Sequence, residues 1–434
     1  MFVTRVDLKN FRNYEAEGID LSPGRNILIG ENAQGKTNFL EAIELVSNGH
    51  SDRARHDSEL LRQQSDSMEI DLSYQRRDRP ENIHLRWHSN KLPKDGEEGA
   101  LEKSIKINGV KYARMKELHG HLATVSFKSS DVSLLRDGPK FRRDWIDHIA
   151  VNIKPGQHDL YAKYAKVIAQ RNRLLKGLFE RGSVSRTGRE ELKVWDQQAA
   201  SYGAKIIMAR LAVLQEICPL AAEFQRSISG EKESLSIGYQ FKLLQTDDPI
   251  DGPEASSEAV SESSADYVRP IKTLIRVSEE GQLDSAAVNE SEFESALVTT
   301  FAKKRYEEIS RRQTLFGPHR DDLNFALNQR DATAYASQGQ QRSLILSLKL
   351  AELRLMTERL EETPILILDD VLAELDLSRQ TLLMSLVRGD MQTIISTTHL
   401  SDFRPEWLKD AQLLNVKNGR LTRINRELEH LVNT

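Results

Sequence analysis

The chain has 434 residues and a single cysteine, Cys218, which excludes an internal disulfide bond. A chain without disulfides suits a reducing compartment, so we expect a cytoplasmic protein. It contains no run that approaches the roughly 20 apolar residues needed to cross a bilayer. Residues 1–5 lack the apolar core of a signal peptide. We therefore expect no association with a membrane.

The chain also lacks an excess of positive charge. Its 61 Lys and Arg residues are outnumbered by 65 Asp and Glu residues, which gives a formal net charge of −4. The overall field of the protein therefore cannot attract nucleic acid, and any binding of DNA has to come from local basic patches.

The most informative motif is GENAQGKT at residues 30–37, which fits the phosphate-binding loop of nucleoside triphosphatases. An apolar run at 26–29 precedes it and an amphipathic segment follows, so the motif has the strand, loop and helix that it requires. We expect Lys36 to reach the β- and γ-phosphates and the Thr37 hydroxyl to ligate Mg²⁺. The residues assigned to ATP are Gly30, Asn32, Ala33, Gln34, Gly35, Lys36, Thr37 and Asn38.

A second motif supplies the carboxylates that hydrolysis of ATP requires. The apolar run at 364–368 predicts a buried strand, and Asp369 and Asp370 follow it directly. An acid at the end of a buried strand is costly unless it faces a cation, so we assign Asp369 to Mg²⁺. We assign Asp370, with Lys36, to catalysis, because it can position and deprotonate the attacking water. Two acids after a strand can also cap the start of a helix. The phosphate loop in the same chain favours the nucleotide site over this alternative.

A third motif, ASQGQQR at residues 336–342, precedes a helix that we predict over 341–361. A serine and a glycine at a helix start offer a hydroxyl and N–H donors in a positive dipole, as an anion site or an ordinary cap does. If two protomers face each other head to tail, this segment and the partner's phosphate loop hold one ATP between them. The residues assigned to ATP in trans are Ser337, Gln338, Gly339 and Gln340.

The elements divide the chain into three parts. Residues 1–126 are predicted to be β-rich, and 315–434 alternate strand and helix, which indicates a parallel sheet flanked by helices. We expect these parts to form one ATPase head, with a mainly helical second lobe, 127–314, inserted between them. Within this lobe we predict long helices over 139–180 and 190–228 that form an antiparallel hairpin.

One stretch of the second lobe has a composition of its own. Residues 247–266 contain seven acids, five serines and no basic residue, which predicts a disordered acidic insertion.

Together these motifs resemble the ABC-type ATPase heads of the chromosome-maintenance and break-repair (SMC) family, and in particular its bacterial replication and repair members. The likeness covers most of the chain in the family's order and spacing. Its clearest segments are LKNFRNY (8–14), GKTNFLEAI (35–43), KFRRDWID (140–147), FGPHRDDL (316–323) and ASQGQQRSLILSLKLAE (336–352).

The resemblance implies an α/β fold: an ABC-type P-loop head, with a mixed sheet flanked by helices, and a helical second lobe without a long coiled coil. It implies a protein that uses ATP and Mg²⁺, dimerises on ATP, binds double-stranded or gapped DNA and hydrolyses ATP slowly with stimulation by DNA. The partners it implies are RecR and RecO, which help RecA replace single-strand binding protein at gaps in repair, recombination and the SOS response. The implied location is the nucleoid. Arg12 matches an element near the nucleotide, and 374–376 match the loop that crosses the dimer interface.

Three positions depart from the family pattern or leave it open. Ala33 stands where the family often has glycine, and we expect the loop to tolerate it unless its φ angle must be positive. Residues 127–131 replace a more usual proline–acid pair, so no residue of this segment is assigned as the sensor of the γ-phosphate. The switch residue that follows the strand predicted at 392–396 is His399, Thr398 or Thr397.

Contacts to DNA are expected from basic clusters, although each cluster is more simply a solvated helix face. The absence of a base-reading motif predicts little sequence specificity. Two other classes remain as alternatives, the ATPase subunit of a membrane transporter and a structural clamp with an inactive nucleotide site. The candidates for DNA contact are Lys140, Arg142 and Arg143; Lys163, Lys166, Arg171 and Arg173; and Lys303, Lys304 and Arg305.

Overall fold

The structure, a computed structural model, describes residues 1–89, 101–181, 185–243, 274–284, 289–387, 391–403 and 405–424. The predicted acidic insertion at 247–266 lies outside these ranges. The chain forms two compact units, here called unit 1 (residues 1–131 and 352–434) and unit 2 (residues 132–351). In the described ranges, no helix is both long and apolar enough to cross a membrane.

The strands and helices are numbered in chain order. The strands are β1 Phe2–Phe11, β2 Tyr14–Asp20, β3 Arg25–Ile29, β4 Ser67–Arg76, β5 Arg79–Ser89, β6 Leu101–Ile107, β7 Val110–Tyr112, β8 Thr124–Lys128, β9 Leu235–Gln240, β10 Leu274–Val277, β11 Asp322–Leu327, β12 Arg330–Asp331, β13 Ile365–Asp369, β14 Thr393–Thr397, β15 Gln412–Lys417 and β16 Arg420–Arg423. The helices are α1 Lys36–Asn48, α2 Ser133–Arg136, α3 Pro139–Ile153, α4 Gln157–Glu180, α5 Arg186–Ser229, α6 Glu290–Lys303, α7 Arg305–Arg311, α8 Ala332–Tyr335, α9 Gln338–Leu360, α10 Leu377–Leu386 and α11 Pro405–Leu408.

Unit 1 contains two six-stranded sheets, which confirms the predicted α/β class. The first sheet is antiparallel, with the strand order β2-β1-β4-β5-β6-β7. The second has the order β16-β15-β3-β14-β13-β8 and is parallel except for its β15–β16 pair. Its central strands are almost entirely buried, as expected for a sheet covered on both faces.

Helix α1 lies in the core that the two sheets of unit 1 share. Its residues Phe39, Leu40 and Ile43 belong to the same buried cluster as Val6 of β1 and Ile367 of β13. Parallel strands end at one edge of a sheet, so the ends of β3, β13 and β14 lie together at the start of α1. This edge carries Lys36, Thr37, Asp369 and Asp370, which the sequence assigns to the nucleotide site.

Unit 2 combines helices with the four-stranded antiparallel sheet β10-β9-β11-β12, which the sequence did not predict. Helices α4 and α5 run antiparallel, because Tyr164 lies near Gly203 and Leu178 lies near Gly188. The single helix predicted over 139–180 is wrong. It is interrupted between α3 and α4, where Pro155 lacks a backbone N–H and disfavours helical backbone in the residue before it.

The C-terminal boundary of unit 2 differs from the predicted lobe boundary at 314/315, because residues 315–351 bond to the preceding part of unit 2. Strand β11 pairs with β9 along its length. In α9, the Ser347 hydroxyl donates to Gln225 Oε1 at 2.8 Å, and the Gln340 amide donates to Glu233 Oε1 at 2.9 Å.

Candidate functional site

The phosphate-loop motif forms a loop between β3 and α1. A Cβ atom at Gly30 would lie 2.3 Å from the carbonyl oxygen of Val416, and Gly35 has a φ of +120°, so both positions require glycine. Lys36 is 4% exposed, and its Nζ donates to the carbonyl oxygens of Gly30 at 2.7 Å and Glu31 at 3.2 Å. The ammonium group is thus held over its own loop, where it can meet a phosphate.

Two segments that are distant in sequence hold the loop in place. From the FRNY segment, Asn13 donates to the carbonyl oxygen of Gln34 at 2.9 Å, and the Tyr14 hydroxyl donates to that of Gly35 at 2.9 Å. From the β15–β16 turn, the Gly419 N–H donates to the same Gln34 carbonyl at 3.0 Å. The turn was not among the predicted elements, although its Asn-Gly pair is a strong hairpin signal.

Ala33 lies at the exposed tip of the loop with a φ of +64°. The prediction that the loop tolerates alanine here excluded the case of a positive φ angle, and the φ angle of Ala33 is positive. A non-glycine residue in the left-handed region costs about 1–3 kcal/mol, so the loop carries backbone strain.

The two halves of the predicted nucleotide site meet at Thr37 and Asp369. The Thr37 hydroxyl donates to Asp369 Oδ1 at 3.1 Å, across 332 residues of sequence. The Ser396 hydroxyl donates to the same oxygen at 2.7 Å and accepts the N–H of Asp370 at 2.9 Å. Asp370 itself has a φ of +53°. Ser396 was missed because its role depends on the pairing of β13 with β14.

The donor set at this point fits Mg²⁺. A hydroxyl and a carboxylate are hard oxygen ligands, and Mg²⁺ typically takes one or two carboxylates and completes its shell with phosphate and water. The described residues contain no group of three or more His, Cys, Asp or Glu side chains arranged to hold a metal ion.

Arg12 is bound to protein groups. Its Nε and Nη2 donate to the carboxylate of Glu41 at 3.0 and 2.6 Å, and its Nη1 donates to the Glu59 carbonyl at 2.8 Å. Glu41, on α1, is 2% exposed and also accepts from Arg53 at 2.9 Å. Asn38 accepts from the same Arg53 nitrogen at 3.0 Å. The assignments of Arg12 and Asn38 to ATP stay predictions, and Arg53 is a further charged group that the sequence analysis missed.

The third motif begins α9 with a reciprocal cap. The Ser337 hydroxyl accepts the N–H of Gln340 at 3.3 Å, and Gln340 Oε1 accepts the N–H of Ser337 at 2.9 Å. Ser337, Gln338 and Gly339 are exposed, and a Cβ at Gly339 would meet nothing within 4 Å. The segment therefore has open space for an anion as well as a serine cap.

The three switch candidates differ in exposure, since Thr397 is buried, Thr398 is half-buried and His399 is exposed. Thr397 is 3% exposed, and its hydroxyl lies 3.0 Å from the carbonyl oxygen of His399. In the segment that lacks the proline–acid pair, Lys128 Nζ lies 2.9 Å from Glu44 Oε1, and burial raises the pKa of that carboxyl. Ser396, one residue before the predicted switch candidates, bonds directly to Asp369.

Two of the predicted DNA contacts are wrong, because their side chains are buried in ion pairs. Arg142 is 6% exposed and makes two hydrogen bonds to Asp322, at 2.7 and 2.9 Å. Arg171 is 0% exposed and bonds to Asp196 and Glu308 at 2.9 and 2.5 Å. Neither guanidinium can reach a phosphate outside the protein.

The other candidates differ in exposure. Arg143 is half-buried and donates to the Asp321 carbonyl at 2.7 Å, and Lys140 is exposed in an ion pair with Asp144. Arg305 lies 3.7 Å from the buried Asp196, and Lys303 and Lys304 are half-buried. The fully exposed candidates on α4 are Lys163, Lys166 and Arg173.

A parallel sheet, a phosphate loop at the start of α1 and paired acids at the end of a second strand of that sheet together define a P-loop ATPase head. The chain belongs to the RecF/RecN/SMC N terminal domain family, which it matches over residues 2–417. It is 36% identical to the DNA replication and repair protein RecF of Cyanothece sp., over 96% of this chain and 97% of that protein. The RecF protein of Synechococcus sp. is 34% identical, over 97% of each chain.

Solved structures agree with this assignment. The recombination mediator protein RecF with ATP, from the RecFOR pathway, is 28% identical, with a TM-score of 0.79 over 98% of both chains. An Smc head bound to the C-winged helix domain of ScpA, at 14% identity and a TM-score of 0.50, shares the fold. The predicted family and the ABC-type head fold are confirmed.

Proposed function

We propose that this protein is an ATP-gated DNA clasp of the RecF type, which dimerises on ATP, binds DNA at gaps and releases it after slow hydrolysis. The observation that carries the proposal is the hydrogen bond between Thr37 and Asp369, which joins the two halves of a nucleotide site. The ATP-bound state of a RecF relative with the same fold supports ATP as the nucleotide.

The residues of unit 1 divide the chemistry among them. Lys36 and the N–H groups of the loop bind the β- and γ-phosphates, and Thr37 and Asp369 supply oxygen ligands. Mg²⁺, when bound, neutralises negative charge on the phosphates. Asp370 orients the attacking water and accepts its proton. Its side chain is one methylene shorter than glutamate, which fits slow turnover.

Dimerisation follows from a site completed in trans. The exposed cap at Ser337 and Gly339 supports binding of the γ-phosphate of an ATP held on Lys36 and Thr37 of the partner. Hydrolysis removes the phosphate that links the two subunits, so the dimer loosens. In this proposal, residues 315–434 serve the ATPase head even though the start of α9 packs in unit 2.

Sedimentation of the pure protein tests the scheme. We expect a dimer with ATP and a monomer with ADP. Asp370→Asn should bind ATP and remain dimeric while hydrolysis stops, and Ser337→Ala should bind ATP but fail to dimerise. A wild-type protein that stays monomeric with ATP, or an Asp370→Asn variant that does, contradicts the proposal. ATPase assays with and without duplex DNA separate it from a transporter subunit and from an inactive clamp.

The surface best suited to DNA is the outer face of α4, here called the α4 strip and defined by Lys163, Lys166 and Arg173. None of these three exposed side chains has an ion-pair partner among the described residues. Residues 160–179 contain no acid, and Ala162, Ala165 and Ala169 lie on the same side of the helix. Small side chains between the cations let a phosphate backbone approach closely, and residues 163 to 173 span about 15 Å of helix.

The salt dependence of binding tests the α4 strip. Each phosphate contact makes the slope of log K against log salt more negative by about 0.9, so Lys163→Glu with Lys166→Glu should reduce the magnitude of this slope by about 2. The control is Lys193→Glu on α5, since Lys193 is exposed, is not a predicted DNA contact and already pairs with Glu190 at 3.1 Å. An unchanged slope in the double variant removes the strip from the proposal.

The wider role that we propose is recombinational repair together with RecO and RecR. The support is that the solved RecF relative is named as a recombination mediator protein in the RecFOR pathway. On gapped DNA coated with single-strand binding protein, the chain should accelerate loading of RecA only when RecO and RecR are present. Equal loading with the Lys36→Met variant contradicts a role for ATP in this step.

A further inference from the structure

Ser396 connects the two acids of the nucleotide site. It lies in β14 and is 1% exposed, and its Cα is the register partner of Asp369 in β13. Its hydroxyl donates to Asp369 Oδ1 at 2.7 Å and accepts the backbone N–H of Asp370 at 2.9 Å. One hydroxyl therefore holds the side chain of the first acid and the main chain of the second.

The bond to Asp370 acts on a strained residue. Asp370 has a φ of +53°, a conformation that costs a non-glycine residue about 1–3 kcal/mol, although aspartate tolerates it better than most. The direction of its side chain depends on the peptide unit before it. Since that peptide's N–H is bonded to Ser396, loss of the hydroxyl would release the peptide and with it the carboxylate.

The bond to Asp369 fixes a carboxylate that a second hydroxyl also holds. Thr37 donates to the same Oδ1 at 3.1 Å, so two donors from different segments determine the rotation of the group. No described residue donates a hydrogen bond to the other oxygen, Oδ2, which remains available as a ligand. The arrangement is that of an outer partner which orients a metal ligand.

We propose that Ser396 is a positioning residue of this site, which orients Asp369 toward Mg²⁺ and Asp370 toward the attacking water. The inference rests on the proposed ATPase function and deepens it. Loss of an outer partner of a metal ligand typically lowers metal affinity or activity 10–100-fold, and we expect an effect of that size here.

The test measures how Mg²⁺ promotes binding of a fluorescent, non-hydrolysable ATP analogue. In Ser396→Ala the Mg²⁺ midpoint should rise about 10–100-fold, while binding without Mg²⁺ stays unchanged. In steady-state assays kcat should fall by a similar factor with little change in KM. Ser396→Thr, which keeps a hydroxyl, should remain close to wild type.

The control is Thr393→Val in the same strand. The Thr393 hydroxyl is buried and has no hydrogen-bond partner in the part of the chain that the structure describes, so its removal should leave the Mg²⁺ midpoint unchanged. If Ser396→Ala does not fold, Ser396→Cys keeps nearly the same volume with a weak donor, and the same expectations apply.

The outcomes separate the inference from the function on which it rests. If wild type shows Mg²⁺-dependent binding and hydrolysis, but Ser396→Ala loses only thermal stability and keeps its Mg²⁺ midpoint and kcat within twofold, the inference is wrong. If wild type shows neither property, the proposed ATPase function itself is wrong.

Discussion

Acidification should weaken unit 2 through one histidine. His319 lies in the FGPHRDDL segment, where its Nδ1 accepts a hydrogen bond from the Tyr164 hydroxyl at 2.7 Å. Its Nε2 lies 3.2 Å from the carbonyl oxygen of Thr314, to which it donates as the neutral tautomer. A second proton would have to bind to Nδ1, the nitrogen that accepts the hydrogen bond from Tyr164. Burial, together with the positive charges of Arg320, Arg143 and Arg171, lowers the pKa of His319 to about 4.

The sign of the effect follows from the two protonation states. The unfolded chain protonates this imidazole near pH 6.5, whereas the folded protein does so only near pH 4. Between these values the unfolded state binds more protons, so stability falls as the pH falls. At about 1.36 kcal/mol for each pH unit, the difference between 6.5 and about 4 corresponds to at most about 3.4 kcal/mol. Because the ring keeps some contact with solvent, we expect about 2 kcal/mol. Above pH 6.5 the full contribution is present.

Two measurements check this prediction. Between pH 7 and pH 4.5, the free energy of unfolding of wild type should fall by about 2 kcal/mol more than that of the His319→Asn variant. Tyr164→Phe removes the hydrogen bond but keeps the imidazole, so it should retain the steeper pH dependence. In NMR spectra of protein with labelled histidines, the His319 resonance should not move between pH 8 and pH 5.5. A His319 midpoint above pH 6 would refute the reasoning.

Three substitutions extend the predictions to packing and backbone. Arg171→Met leaves two buried carboxylates without their cation and should cost about 3–5 kcal/mol in urea unfolding, whereas Arg173→Met, exposed on the same helix, should stay within about 0.5 kcal/mol. Ala33→Gly should raise the melting temperature of unit 1, because about 1 kcal/mol of left-handed strain disappears, and a lower melting temperature contradicts this. Gly419→Ala would place a Cβ 2.5 Å from a backbone oxygen and should weaken nucleotide binding. Gly109→Ala, also at positive φ but with nothing within 4 Å, should leave nucleotide binding unchanged.

The parts of the site that depend on neighbouring residues were predictable from sequence. The strand, loop and helix around Lys36 follow from a local pattern, and so does the strand that ends at Asp369. Ser396 could not be assigned in this way, because its function depends on the register of two strands separated by a helix. The burial of Arg171 did have a signal. It occupies the apolar stripe of α4 four residues after Val167 and four before Leu175, which are both buried.

Three residues in or beside the predicted nucleotide site have strained backbone, as do several residues elsewhere in the chain. Arg12, Ala33 and Asp370 all have positive φ angles, of 51°, 64° and 53°, although none is glycine. Such conformations persist only where surrounding contacts determine them, and here Glu41 holds the first residue and Ser396 holds the third. These contacts hold Arg12 and Asp370 in place without a nucleotide. In the proposed mechanism ATP therefore does not have to order these positions, and more of its binding free energy remains available to join two subunits.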